Sequence, residues 1–443
     1  AGVITATTLK GSGANLTGVL PTTSAVASGT LANGQTVIIQ SDGTVAGVAT
    51  VGIAQTVGLT TVFESGTTNY VSAVYDSTNE KVVVVYEDSD HSGRGKAVVG
   101  TVTGTGITFS SPVNFDTGET RNIIATYDST NGKVVIAYTQ DSNSDYGVAI
   151  VGTVSGTSIS FGTAAAFKTS AIYTKSITFA GNGKVVIAYQ DGSNSNYGTA
   201  VVGTVSGNSI SFGSATVFES GTTNYISAVY DSSNDKVVIA YGDADNSNYG
   251  TAVVGTVSGT SISFGTPVVF ESANATDYVS ATFDSTNNKV IIGYMDGGNS
   301  SYGTAIVGTV SGTSISFGTA AVFESAATRW ISPTHDSSTN KIVIAYRDSG
   351  NSNYGTAVVG TVSGTSISFG TPFVFNSDGT TTYVSATYDS TNEKVVIAYK
   401  DSTNSGVGES LVFRNASVST NLTSTNFLGF SNAAYSDGDT ATI

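Results

Sequence analysis

Cysteine is absent from all 443 residues, so no disulfide braces the chain, and neither a reducing nor an oxidising compartment is indicated. Histidine occurs twice, at His91 and His335, which leaves zinc or haem sites of the usual ligand types almost nothing to work with. Basic residues are scarce: 17 Lys and Arg stand against 32 Asp and Glu, a formal charge of −15. Electrostatic binding to nucleic acid is excluded as a working function, and an acidic surface rich in Ser, Thr, Asn and Gly keeps a β-rich protein soluble. No apolar run reaches membrane-spanning length, and no basic-then-apolar leader precedes Ala1; any leader is expected to have been removed from this numbering. A 3.6-residue apolar period is also missing, and with it the signature of helical repeats.

What is present is one unit, repeated. In its clearest copy, Tyr225 to Phe270, four short strands are separated by the turn-forming stretches DSSND, DADNSN and SGTS. The second strand, Lys236–Tyr241, has the unbroken apolar run of a strand buried on both faces. The fourth, from about Ser261 to Phe270, carries Pro267, which suits an edge position. The Phe that ends the unit recurs at Phe63, Phe115, Phe167, Phe218, Phe270, Phe323 and Phe375, with spacings of 52, 52, 51, 52, 53 and 52. Four strands in about 50 residues is the size of one propeller blade.

The broken copy carries the topology. The last unit begins at Tyr383, runs through Lys394–Tyr399 and Leu411–Val418, and has no fourth strand. The missing piece stands at the other end, in Thr56–Phe63 (TVGLTTVF), where Gly58 aligns with Gly265 and Val62 with Val269. A closed ring needs complementary ends because pairing them hides both sheet edges; a stacked solenoid, the competing architecture, does not. The expected fold is all-β: a seven-bladed β-propeller over 51–420, its last blade completed by the N-terminal strand. An extension of 1–50 holds a hairpin, Thr36–Gln40 with Val45–Ala49, and a second extension covers 421–443. Both extensions look like pieces of sheet lacking partners, to be met either by the ring or by a neighbouring chain.

Loops fall into two sets. The DSTNEK-type and SGTS-type turns share one face and scarcely vary; the second-to-third-strand loops and the crossings between blades share the other, where the copies differ. At the first position of the innermost strand stand Tyr70, Asn122, Thr174, Tyr225, Tyr278, Trp330 and Tyr383. Five aromatic side chains and two small polar ones are therefore expected around the mouth of the central channel, with the cations Arg121, Lys168, Lys175 and Arg329 beside them. Aromatic faces next to hydrogen-bonding groups suit sugar rings. A plain wedge between blades is the preferred account of a Tyr repeated so often, because a residue found in most blades serves the blade, so Trp330 and Arg329, which depart from the repeat, are the stronger candidates.

Two other kinds of site find less support. The loops GDADNSNYG, QDGSNSNYG, RDSGNSNYG and MDGGNSSYG offer the oxygen ligands that Ca²⁺ takes, yet lack the bidentate Glu and the spacing of a calcium loop. Turn-holding is the preferred reading for them, as for Asp76, Asp128, Asp231, Asp284, Asp336 and Asp389. No cofactor is expected. Catalysis needs a constellation that breaks the repeat, and Glu119 and Asp277 are the sole off-pattern acids near the mouth. No G-x-S-x-G, H-E-x-x-H or phosphate loop occurs, and the S-x-D-x-G-x-x-W box is missing, so no enzyme is expected.

The repeat Y-D-S-T-N-x-K-V-V-I-A-Y…N-S-N-Y-G-T-A-V-V-G-T-V-S-G-T-S-I-S-F-G-T-P-V-V-F resembles the propeller arrays of tail-fibre-like appendage proteins of aquatic tailed phages and of related bacterial surface proteins. The head, ITATTLKGSGANLTGV, resembles the linker repeats of tail fibres; NLTSTNFLGFSNAAYSDGDTATI resembles the start of a small β module that follows such arrays. The resemblance implies an extracellular or virion-surface location and attachment to a cell-surface glycan or receptor, with other virion subunits as partners. A self-assembling filament, joined into a homo-oligomer by strand addition of the termini, is the alternative.

Overall fold

The computed structural model describes residues 24–442 apart from 274, 421–426, 432, 433, 435, 437 and 438. The chain forms two units, one from residues 55–415 and one from the two ends.

Residues 55–415 form a β-propeller. Its innermost strands end at Asp76, Asp128, Phe179, Asp231, Asp284, Asp336 and Asp389. Each pairs antiparallel with a buried second strand: Lys81–Asp88, Lys133–Gln140, Lys184–Asp191, Lys236–Asp243, Lys289–Asp296, Lys341–Asp348 and Lys394–Asp401. The third strand, Tyr249–Ser258 in the clearest copy, pairs outward with a fourth. That fourth strand is expected to be continuous but is split, into Ser261–Phe264 and Val268–Glu271: Gly265 still donates its N–H to Val254 O at 2.9 Å, and Thr266-Pro267 then leaves the ladder, Pro267 having no N–H to give it. In four places the outer strand of one blade runs on without a break into the innermost strand of the next, as in Thr216–Asp231.

The ring closes as its ends require. Thr56–Val57 and Thr61–Glu64 pair with Val407–Arg414, the third strand of the last copy. The seam repeats contacts found between the other blades. Phe63 packs on Tyr86 of the first copy with centroids 5.3 Å apart, as Phe270 does on Tyr294 and Phe375 on Tyr399. Gly58 stands so close to the turn of the first copy that an added Cβ would lie 1.9 Å from the carbonyl oxygen of Thr105, as at Gly265 and Thr313. The expected third strand Leu411–Val418 is shorter at its end: Ser417–Thr420 belongs to the other unit.

Innermost strands lie side by side, the last against the first. A Ser hydroxyl on one strand accepts the amide N–H of an Ala on the next at 2.9–3.2 Å: Ser72 from Ala125, Ser176 from Ala228, Ser227 from Ala281, Ser332 from Ala386 and Ser385 from Ala73. The two missing links have plain causes. Ile124 has no hydroxyl, and Pro333 has no N–H for Ser280 to accept.

In the second unit the ends of the chain meet. Thr36–Ile39 is flanked by Val45–Gly47, the expected hairpin, and by Phe427–Phe430. Ser24–Val26 pairs with Thr440–Thr442, and Thr50–Ile53 with Ser417–Thr420, around a small core of Ala27, Leu31, Val37, Val45 and Ala441. The expected boundaries at 51 and 420 thus move to 55 and 415, and the described strands of the two extensions are partnered by each other. The expected strand at Val3–Leu9 lies outside the described residues.

Candidate functional site

Each innermost strand begins with a fault in its register. Pairing in the first blade jumps from Asn69 to Ser72, and the same jump recurs at the start of the others. Two residues are passed over at each jump, and the one expected at the channel mouth is among them: the first of the two, as Tyr70 before Val71, except in the third blade, where the jump from Ile172 to Lys175 passes Tyr173 and Thr174. Tyr70, Asn122, Tyr225, Tyr278, Trp330 and Tyr383 all take φ of 48–54°, left-handed backbone that Asn tolerates and a bulky side chain does not adopt cheaply. Five aromatic residues held there cost about 1 kcal/mol or more each, which the surrounding sheet must over-determine.

The bulges turn these side chains onto one cavity of about 390 Å³ at the end of the channel. Tyr70, Tyr225, Tyr278, Trp330 and Tyr383 line it together with Asn122, Thr174 and Lys175. The aromatic rings form a continuous arc. Centroids are 5.2 Å apart for Tyr225–Tyr278, 5.6 Å for Tyr278–Trp330, 4.4 Å for Trp330–Tyr383 and 5.2 Å for Tyr383–Tyr70. Asn122, Thr174 and Lys175 fill the gap in the arc. Each aromatic side chain is half-buried, packed on the core between blades, so wedging and lining are one arrangement. Burial raises the Tyr70 phenol and pushes Tyr383 up to about 12, so both are neutral hydrogen-bonding groups at physiological pH.

The expected cations divide. Lys175 lies within the cavity wall, 8 % exposed, its Nζ donating to Thr139 Oγ1 at 3.0 Å; burial holds its amine well below the usual lysine range. Arg329 stands outside the cavity lining, its guanidinium carbon 6.0 Å from the centre of the Tyr278 ring. Arg121 is already occupied, with Glu119 at 2.8 Å and Asp141 at 3.1 Å, and Lys168 is held by Asp191 at 2.6 Å. Neither faces the cavity. Of the two off-pattern acids, Glu119 is thus spent on Arg121. Asp277, on another blade, is half-buried, and its carboxyl is raised by burial against the opposing pull of Arg329.

Two basic residues at the mouth escape sequence reasoning: Arg347 and Lys400, at the seventh position of their second strands. That position reads Glu87, Thr139, Gln190, Gly242, Met295, Arg347 and Lys400, the most variable place inside the K-V-V-I-A-Y-x-D frame, and its variability was the available signal. Lys400 donates to Asn69 Oδ1 at 2.8 Å and lies 6.0 Å from the Tyr383 ring centre.

The opposite end of the channel has its own cavity of about 460 Å³, lined by Tyr75, Tyr127, Phe283, His335 and Tyr388. These side chains tie blades together. Tyr75 OH donates to Thr391 Oγ1 at 2.6 Å, the Tyr388 hydroxyl accepts the Ser338 N–H at 3.2 Å, and His335 Nε2 lies 3.2 Å from Asp284. His335 thus does what Tyr does in its sister blades. The repeated Asp residues are turn caps as expected: Asp76 Oδ1 accepts the N–H groups of Thr78 and Asn79, and Asp389 those of Thr391 and Asn392. In the candidate calcium loops Asp243 and Asp296 likewise accept the N–H groups of Asn246 and Asn299. Among the described residues no three acidic or His side chains converge on a metal position.

An all-β propeller with an aromatic-lined channel mouth is the class that fold and site define. No protein-family model matches the chain, and no curated protein matches it in sequence. Solved structures do. AofleA from Arthrobotrys oligospora has a TM-score of 0.46 at 12 % identity, over 79 % of this chain and 96 % of its own. A mutant of the Aleuria aurantia lectin AAL, solved with Fucalpha1-6GlcNAc, has 0.45 at 14 %, over 70 % and 97 %. A structure described as NanB plus Optactamide has 0.46 at 11 %, over 80 % and 70 %. Likeness at this level carries no statement about what this chain binds.

Proposed function

We propose that this chain is a non-enzymatic carbohydrate-binding propeller, displayed on a phage appendage as an attachment module, with its binding site at the aromatic mouth of the channel. The arc from Tyr225 through Trp330 to Tyr70 supports this reading most directly. Blades need a wedge, but a wedge does not require five aromatic residues in left-handed backbone around an open cavity. A space of about 390 Å³ lies within the range of small-ligand pockets, and ring faces flanked by amide and hydroxyl groups match the two sides of a sugar. The virion setting rests on the sequence resemblance alone. An extracellular filament has less behind it, because strands at both ends of the described chain already pair with each other.

The test is a glycan array probed with the full chain and with a Trp330→Ala, Arg329→Ala double variant. The expected result is binding to a restricted set of sugars that the variant loses. Unchanged binding by the variant removes this site.

A further inference from the structure

Resting on that reading, the structure narrows the ligand. Arg329 and Arg347 face each other directly across neighbouring strands of the sixth blade. Like charges opposite one another in a sheet repel, and natural sheets avoid or compensate the pairing. Here compensation within the protein is slight: among the described residues neither Arg forms an ion pair, Arg329 is met by the Tyr278 ring and by the more distant pull of Asp277, and Arg347 Nε is buried with no hydrogen-bond partner. The contrast with the other cations on this face is sharp. Lys96 is bound by Asp88 and Glu64, Arg121 by Glu119 and Asp141, and Lys168 by Asp191. In a chain carrying a charge of −15, acids are plentiful, so unpaired cations are conspicuous.

Those cations border the site. Arg329 immediately precedes Trp330 and lies over Tyr278, both of which line the cavity. Lys175 lines the cavity itself; it is more than nine-tenths buried, and its one hydrogen bond goes to a neutral hydroxyl. Two more polar atoms at the lining, Trp330 Nε1 and Thr174 Oγ1, are buried without a partner in the protein. Burial weakens the hold of Arg347 on its proton and Arg329 adds to the effect.

We propose that the sugar recognised at this mouth is anionic, its carboxylate or sulfate taken by the Arg329–Arg347 pair beside Trp330, with Lys175 supplying a further positive charge inside the cavity. Neighbouring guanidinium groups present forked N–H donors that bind a planar carboxylate bidentately or two oxygens of a tetrahedral sulfate. Asp277, a half-buried acid within reach of the field of Arg329, would repel a ligand charge placed on its side and so orient the ligand toward Arg347.

The experiment uses the full chain on an array of matched oligosaccharides, each in neutral, uronate and sulfated form, followed by calorimetry on the best pair. Two variants accompany it: Arg347→Met, which restores the residue of the sister position Met295, and Lys175→Ile, which restores that of Ile226. Both replacements already occur in this fold. Acidic members should bind at least about tenfold more tightly than their neutral partners, with the gap shrinking as salt rises. Arg347→Met should remove most of that gap and Lys175→Ile part of it; uronate against sulfate decides which anion is read. Neutral and acidic forms binding alike would overturn the inference while leaving the sugar-binding reading intact, as would an Arg347→Met variant that keeps the full preference. Failure of any sugar to bind overturns both.

Discussion

The hydroxyl of Ser385, in the last blade, accepts the amide N–H of Ala73, in the first, at 2.9 Å. Residues 312 apart in sequence thereby make the bond that neighbouring blades make elsewhere. Ser385→Ala should cost about 1 kcal/mol, the worth of a partly buried hydrogen bond whose donor is left unmatched. Ser280→Ala supplies the control. It occupies the same place in the fifth blade but faces Pro333, which offers no N–H, and should cost nothing measurable. Urea unfolding of the two variants separates them; equal losses would deny the serine ring its role.

Closure also depends on Gly58. A Cβ there would lie 1.9 Å from Thr105 O, a backbone atom that cannot step aside. Gly370, its counterpart one blade earlier, has nothing nearer than 3.7 Å, because the last blade leaves the ring at Asn415 and has no turn to press against it. Gly58→Val should therefore destabilise by about 2–3 kcal/mol and expose the seam to limited proteolysis, whereas Gly370→Val should be tolerated. Matching proteolysis rates would mean that the seam is not where the ring yields.

Much of this was legible in the chain itself, and the reasons differ by element. A regular Phe spacing and a last copy with no fourth strand were enough to place Thr56–Val57 and Thr61–Glu64 beside the final third strand, because a ring has only one way to fill that vacancy. The aromatic mouth followed from the same alignment. Backbone geometry did not: no residue type announces a bulge that recurs under Tyr, Trp and Asn alike. Arg347 and Lys400 were hidden because they sit within strands that otherwise read as uniform core. The pairing of Phe427–Phe430 with Thr36–Ile39 could not be read either, since neither segment resembles the repeat or the other.

Trp330→Asn tests whether left-handed backbone at the mouth is held for binding. Asn already stands at this bulge in the second blade, at Asn122 with φ of 48°. The change relieves an unfavourable conformation while giving up ring contacts with Tyr383 and Tyr278, two terms of about 1 kcal/mol each and opposite sign. Melting should shift by no more than about 3 °C, while binding to the best array sugar falls at least about tenfold. A large drop in melting temperature with unchanged binding would make Trp330 a wedge and nothing more.

Calcium should be without effect. The carboxylate oxygens of Asp243 and Asp296, which lead two of the oxygen-rich loops, are already engaged by the N–H groups of Asn246 and Asn299. A cation would have to break those turns to gain its six to eight ligands. Neither millimolar Ca²⁺ nor a chelator should move the melting temperature, and calorimetric titration should register no heat. A saturable heat would reassign these loops.

Lys175 links the site to pH. Its amine is buried, no charged group opposes the burial, and its one partner is the hydroxyl of Thr139, so its folded pKa lies well below the 10.5 of an ordinary lysine. Between those two values the unfolded chain binds a proton that the folded chain gives up. Stability from this group therefore rises with pH across that window and levels off above about 10.5. Replacing it by the residue of a sister blade removes the penalty: Lys175→Ile should melt higher than the unaltered chain at about pH 7, with the difference shrinking toward about pH 10. An anionic sugar acts in the opposite sense, drawing the amine back to its charged form, so binding at about pH 8 should take up protons, seen as a binding heat that changes linearly with the ionisation heat of the buffer. A stability difference independent of pH, with no proton uptake on binding, would mean that Lys175 reaches water and carries its charge throughout.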